Sequence, residues 1–312
     1  MFEALVNAIF ASLFFQAQAA KQVINSQNSA YVMTLPQASD KPAINVKFPR
    51  RIPNNNLGVE LSAQSAYAID EKTGQVLYAK NYDEVRSIAS ITKLMTALVF
   101  WDHNPGLNKE IEITAEDSRE GNVAYLHAGD KVKVKDVLYV TLIASANEGA
   151  VALARSTGMG QDQFVDAMNK KAKSLGMNKT HFADTSGLNP DNKSTAQDLV
   201  KLIKASFANP EIVSAVSKES YEFQELGSST PRKISSTDKI LGDEFGYKSD
   251  VYRIVGGKTG YTSAAGYCFA SKITNQNGNN IISAVLGSDT INNRFLDTKS
   301  LAYWVFNNYI WQ

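Results

Sequence analysis

Two kinds of hydrophobic periodicity divide this chain. Residues 65–70 and 75–79 alternate apolar and polar positions about a Glu71-Lys72-Thr73-Gly74 turn, the pattern of a β-hairpin. From Ser90 the spacing changes, and Leu94, Met95, Leu98 and Val99 recur at helical intervals. Helical runs continue over 135–144, 148–157, 161–175, closed by Gly176, and 195–208, closed ahead of Pro210. Strand patterns return at 221–226, 251–262, 266–273 and 280–286, and a last helix is expected over 292–310. Strands at both ends around a helical middle predict an α/β fold. A single antiparallel sheet would be built from N- and C-terminal segments, flanked by helices, with a large helical insert.

The ends of the chain read differently. Residues 4–15 form an apolar run too short to span a bilayer, and Ala17-Gln18-Ala19 comes next as a small-residue cleavage pattern. Residues 1–20 are therefore expected to be a secretory signal peptide, although Glu3 and the lack of lysine or arginine depart from the usual charged start. Gln, Asn, Ser and Pro dominate the adjoining segment, with Pro36, Pro42, Pro49 and Pro53 breaking regular structure, so residues 21–60 are expected to form a disordered leader. Residues 61–312 would then be one catalytic domain with no C-terminal β-domain. In the last helix Phe295, Leu301, Trp304, Val305 and Tyr309 form an apolar stripe, expected to pack on the core and not on a membrane.

Composition excludes more than it identifies. With 312 residues, 44% hydrophobic content and a net charge of +1, the chain has no basic stripe beyond a patch at 47–51, and no nucleic-acid partner is expected. Its only cysteine, Cys268, cannot form an internal disulfide and is expected to be a buried strand residue. His103, His127 and His181 are far apart in sequence, with no His-Glu-x-x-His and no Gly-x-Ser-x-Gly, so neither a metal nor a histidine triad is expected, and no cofactor. Gly257-Lys258-Thr259 is not a phosphate loop, because Tyr252 stands where the first glycine would be needed.

The candidate chemistry lies in three clusters in fixed order: Ser90-Ile91-Thr92-Lys93, Ser145-Ala146-Asn147 and Lys258-Thr259-Gly260. Each has a decoy elsewhere. Ser236-Thr237-Asp238-Lys239 has no apolar helix after it, Ser26-Gln27-Asn28 lies in the leader, and Lys72-Thr73-Gly74 is the hairpin turn. Ser90 and Lys93, three apart at a helix entrance, share a face, so the amine can reach the hydroxyl. Ser90 is the candidate nucleophile, and its own N–H a candidate oxyanion donor. Lys93 would be the base once burial and the Lys258 ammonium lower its pKa. Ser145 would carry a proton to the leaving amine, and Asn147 would bind substrate backbone and hold Lys93. Gly256 and Gly257 would let a substrate backbone approach the strand bearing Lys258, a cation, and Thr259, a hydroxyl for a carboxylate. The Tyr261 N–H would be the second oxyanion donor.

This ordered trio resembles the penicillin-binding protein and serine β-lactamase superfamily. Three further segments, at 70–78 (DEKTGQVLY), 183–188 (ADTSGL) and 257–262 (GKTGYT), are similar to those of the low-molecular-mass D-alanyl-D-alanine peptidases, and the similarity extends from about Ser65 to the C-terminus. The resemblance implies an acyl-enzyme on Ser90, peptidoglycan stem peptides as substrates, β-lactams as acylating mimics and a periplasmic location, with an uncleaved leader as a loose membrane tether. Because the chain ends about fifty residues past Gly260, it resembles the shorter endopeptidase branch, which cuts D-alanyl to diaminopimelyl cross-links. A carboxypeptidase trimming pentapeptide stems and a non-catalytic wall-binding protein are the alternatives. Ala146 stands where class A β-lactamases have aspartate, so slow deacylation of penicillin is expected.

Overall fold

The computed structural model describes residues 47–312 apart from 55, 57, 120, 122 and 243–249. The expected signal peptide and most of the expected leader lie outside the described residues. The central sheet has five strands: β1 (Ser65–Asp70), β2 (Val76–Lys80), β3 (Tyr252–Thr262), β4 (Gly266–Asn275) and β5 (Asn280–Ser288). They are ordered β3-β4-β5-β1-β2, every neighbour antiparallel. The N-terminal hairpin thus joins the C-terminal meander through the β5–β1 pair, in register from Ile281 against Asp70 to Leu286 against Ser65. This is the sheet of distant segments that the periodicity predicts. The Lys72-Thr73-Gly74 decoy is the β1–β2 turn: Asp70 Oδ2 accepts from the Thr73 N–H (2.8 Å) and hydroxyl (2.7 Å), and Gly74 takes φ +73°.

Seven helices cover the sheet and fill the insert: α1 (Thr92–Asp102), α2 (Val134–Ile143), α3 (Asn147–Ser156), α4 (Gln161–Ser174), α5 (Ala196–Phe207), α6 (Pro210–Val216) and α7 (Asn293–Asn308), among the described residues. Tyr67 and Ile69 of β1 belong to the core shared with α1 and α5, whereas Ala66 and Ala68 pack with Leu301, Ala302 and Val305 of α7. Alternation in β1 therefore sorts side chains between two helical layers, and every residue of the strand is buried. The apolar stripe of the last helix packs inward as expected, with Phe295, Leu301 and Val305 essentially inaccessible. No helix of the described residues is long and apolar enough to cross a membrane.

Several boundaries differ from expectation. Residues 221–226 do not join the main sheet. Among the described residues Ser220–Phe223 pairs only with Arg232–Ser235 in a separate ribbon, where Glu222 and Lys233 face solvent and Phe223 and Ile234 turn inward. Pro210, read as a stop, instead opens α6: Asn209 caps it by accepting from the Glu211 and Ile212 N–H groups, and proline at the first helical position gives up no intrahelical bond. The last helix ends at Asn308, and Tyr309–Ile310 pairs with Arg50–Arg51. The folded body therefore reaches into the segment expected to be leader, because the backbone of residues 50–52 finds partners on the C-terminal strand that proline-rich composition does not reveal.

Candidate active site

Ser90 sits in a single 3₁₀ turn, Ala89–Ile91, that leads directly into α1, with Ala89 at φ +48°. Lys93 follows in the first turn of α1 and is fully buried. Its Nζ lies 2.9 Å from Ser90 Oγ, 2.8 Å from Asn147 Oδ1 and 2.6 Å from the Ser186 carbonyl oxygen. The predicted contacts of Lys93 with Ser90 and Asn147 are thus formed, and the Ser186 carbonyl is a third partner that sequence reasoning missed.

The second cluster falls between α2 and α3, where Ser145 adopts φ +62°, a conformation few non-glycine residues hold. Backbone strain of this kind costs on the order of 1–3 kcal/mol and is kept only where surrounding structure enforces it. Here it places Ser145 Oγ 2.8 Å from Nζ of Lys258, which is also buried and donates to the Thr259 carbonyl at 3.2 Å. Thr259 Oγ1 is 2.7 Å from Thr237 Oγ1, and the Thr237 N–H donates to the Ile143 carbonyl, so the 236–238 segment bridges β3 and the Ser145 turn. The Ser236-Thr237-Asp238-Lys239 decoy therefore reaches the site through Thr237, not through a serine–lysine pair.

The third cluster lies on β3, an edge strand whose only sheet partner among the described residues is β4. A Cβ built at Gly260 would meet the Ile88 carbonyl oxygen at 2.7 Å and Ser90 N at 3.3 Å, so only glycine lets the strand press this closely on the nucleophile turn. Tyr261 follows, half exposed at the rim and stacked on Tyr267 with centroids 4.3 Å apart. Arg294, at the start of α7, lies beneath Tyr267 and donates to the Gly260 carbonyl at 3.3 Å. Arg294 carries no motif in sequence, and only the fold brings it to β3. Ser90, Ser145, Asn147, Thr259, Gly260 and Tyr261 all line one open cleft, together with Arg294 and Thr237.

Charge in the cleft is set by burial. Lys93 is lowered to about 7, chiefly by burial, with the Asp184 and Glu148 carboxylates opposing the shift. Lys258 is also lowered well below the usual lysine range, by burial first and then by repulsion from Lys93 and Arg294. The expected repulsion between the two lysines therefore falls on Lys258, while Lys93, which has anions beside it, responds mainly to desolvation. Burial also holds Arg294 down to about 10 and raises Asp238 to about 7. Such an arrangement offers a hydroxyl beside an amine that loses its proton near neutrality, and a cationic wall short of anions. No group of histidine, cysteine and acidic side chains that could hold a metal occurs among the described residues.

A mixed fold in which a serine turn, a serine–asparagine turn and a lysine-bearing edge strand converge defines the class of serine acyl-transfer enzymes. The chain belongs to the peptidase S11 family, D-alanyl-D-alanine carboxypeptidase, whose family model matches residues 51–290. It is 34% identical over 252 residues to a D-alanyl-D-alanine endopeptidase of Escherichia coli K12, covering 79% of this chain and 78% of the relative. A protein of the same name from Pseudomonas aeruginosa is 33% identical over 261 residues, with the same coverage. The crystal structure of the Streptomyces K15 DD-transpeptidase superposes with a TM-score of 0.74 at 30% identity, covering 81% of this chain and all of that one.

Proposed function

We propose that the protein is a serine D,D-endopeptidase that hydrolyses D-alanyl to diaminopimelyl cross-links of peptidoglycan through an acyl-enzyme on Ser90. The observation that carries this reading is the buried Lys93 amine, 2.9 Å from Ser90 Oγ and with a pKa brought down to about 7. The relatives named D-alanyl-D-alanine endopeptidase support the endopeptidase reading.

A neutral amine has two N–H groups and one lone pair. Asn147 Oδ1 and the Ser186 carbonyl are placed to take both N–H groups, which leaves the lone pair for the Ser90 hydroxyl. Ser90 Oγ attacks the D-alanyl carbonyl carbon while its proton passes to Lys93 Nζ. The oxyanion is received by the N–H groups of Ser90 and Tyr261, and losing one such donor typically costs about 2.7–4 kcal/mol of transition-state stabilisation. Collapse of the tetrahedral adduct breaks the C–N bond, and the departing amine takes the proton held by Lys93, relayed through Ser145, which leaves Lys93 neutral. Water then attacks the ester with Lys93 again accepting a proton; the bond from the acyl carbon to Ser90 Oγ breaks, Lys93 returns the proton to Oγ, and the acyl group leaves as a carboxylic acid.

Lys258, Thr259 and Arg294 would bind the carboxylate next to the scissile bond. A bound anion adds to the negative charge that Asp238 alone offers Lys258 here, so substrate raises the Lys258 pKa back towards the charged state. β-Lactams would acylate the same serine. Residues 1–20 would export the chain to the periplasm, where its substrate lies.

The test is mass spectrometry of the enzyme with a D-Ala to diaminopimelate cross-linked muropeptide dimer and a pentapeptide monomer, with Ser90→Ala as control. Ser90-dependent conversion of dimer into monomers is expected. An untouched dimer, with D-Ala lost from the pentapeptide, would make the protein a carboxypeptidase.

A further inference from the structure

Segment 184–188 (DTSGL) adds no side chain to the contacts around the Lys93 amine, yet its backbone touches both Lys93 and the Ser90 turn. Asp184 organises it. Asp184 Oδ1 accepts from the Ser186 N–H at 2.8 Å and the Gly187 N–H at 2.6 Å, and Oδ2 accepts from the Asn189 N–H at 2.6 Å. Three main-chain donors on one carboxylate close residues 184–189 into a tight turn. Behind it, Asn192 Oδ1 accepts from the N–H groups of Ala183 (3.0 Å) and Asp184 (3.3 Å), and the Asn192 carbonyl accepts from the Ile88 N–H at 3.1 Å, tying the turn to the residues ahead of Ser90. Two things project from the turn. The Ser186 carbonyl meets Lys93 Nζ at 2.6 Å, and Gly187, at φ +89°, lies so close that an added Cβ would fall 2.1 Å from the Ala89 carbonyl oxygen and 2.8 Å from Ser90 N.

We propose that Asp184 is a positioning residue for acylation, its carboxylate folding the turn that aims the Lys93 lone pair at Ser90 and supports the Ala89–Ser90 peptide. The inference rests on reading Ser90 and Lys93 as nucleophile and base. Lys93 has two N–H groups to place when neutral, and Asn147 alone satisfies only one. The Ser186 carbonyl takes the second, and without it the lone pair is free to rotate off the Ser90 hydroxyl. Asp184 also acts through its charge. It and Glu148 are the anions that favour the ammonium form of Lys93, against burial and with Lys258 as the nearby cation; Asp238 and Arg294 act on Lys258. Removing the Asp184 charge therefore lowers the Lys93 pKa further.

The test is the pH profile of acylation by a fluorescent penicillin, with the full chain as wild type, Asp184→Asn and Gly187→Ala. Acylation requires neutral Lys93, so its rate rises with pH through the lysine pKa. In Asp184→Asn the plateau is expected to fall ~10- to 100-fold from misplacement of the base, and the rising limb to move to lower pH by ~0.5 unit or more. Gly187→Ala keeps the charge but crowds the Ser90 peptide, so it should lower the plateau at least ~10-fold and leave the limb where it is. A purely structural Asp184 would lower the plateau without moving the limb, and that outcome overturns the proposal. So does a Gly187→Ala variant acylated at the wild-type rate, which decides the matter if Asp184→Asn does not fold. A wild-type protein that penicillin does not acylate would instead sink the underlying assignment of Ser90 and Lys93.

Discussion

A lysine amine shut away from water loses much of its preference for the charged form, and that single fact separates Lys93 from the exposed lysines of this chain. Burial lowers its pKa to about 7, Asp184 and Glu148 keep it from falling further, and two carbonyl oxygens orient what remains. Lys93→Ala should therefore reduce acylation about 10²–10⁴-fold with circular dichroism unchanged. Acylation at the normal rate would remove Lys93 from the reaction. Lys258 reaches Ser145 but not Ser90, so Lys258→Ala is expected to weaken carboxylate recognition first. The measured change should be a rise in KM for the cross-linked dimer larger than the fall in kcat; the reverse would place Lys258 in proton transfer.

At the scale of elements, the site depends on close approaches between segments far apart in sequence. β3 can lie against the Ser90 turn only because residue 260 lacks a Cβ, and Gly260→Ala should push the two apart. A drop of at least ~10-fold in acylation is expected, with thermal unfolding showing whether the fold persists; full acylation would mean that the turn yields easily. The three clusters were legible in sequence because each is a local run with an unusual residue set in a fixed order. Arg294, Thr237 and the Ser186 carbonyl were not. Arg294 reaches Gly260 only through the packing of α7, Thr237 stands in a polar stretch with no periodicity, and a main-chain carbonyl has no residue signature at all. The same limit explains α6, where Pro210 breaks one helix and opens the next, and the ribbon at Ser220–Phe223, whose alternation says nothing about which strand it will join.

For the whole molecule, burying a lysine amine beside the cleft has a consequence for stability. The Lys93 pKa is near 7 when folded and about 10.5 when unfolded, so between those values the unfolded chain binds more protons, and stability rises with pH. Compared with Lys93→Met, which has no such group, the wild type should gain up to ~1.4 kcal/mol per pH unit across this window. Denaturant unfolding of both proteins at pH 7 and pH 9.5 measures it, and a constant difference would show that Lys93 is not neutral in the fold. The sheet likewise ties the molecule together end to end: hairpin and meander close through β5–β1, and the helical insert supplies the Ser145 turn and much of the cleft wall.

The most direct measurement is the second-order rate of penicillin acylation between pH 5 and pH 9, followed by intact mass and peptide mapping of the adduct. With Lys93 as the base and Ser90 as the nucleophile, one adduct is expected, on Ser90, forming at a rate that climbs with pH through a single limb near 7. A pH-independent rate, or an adduct on any other residue, would contradict those roles.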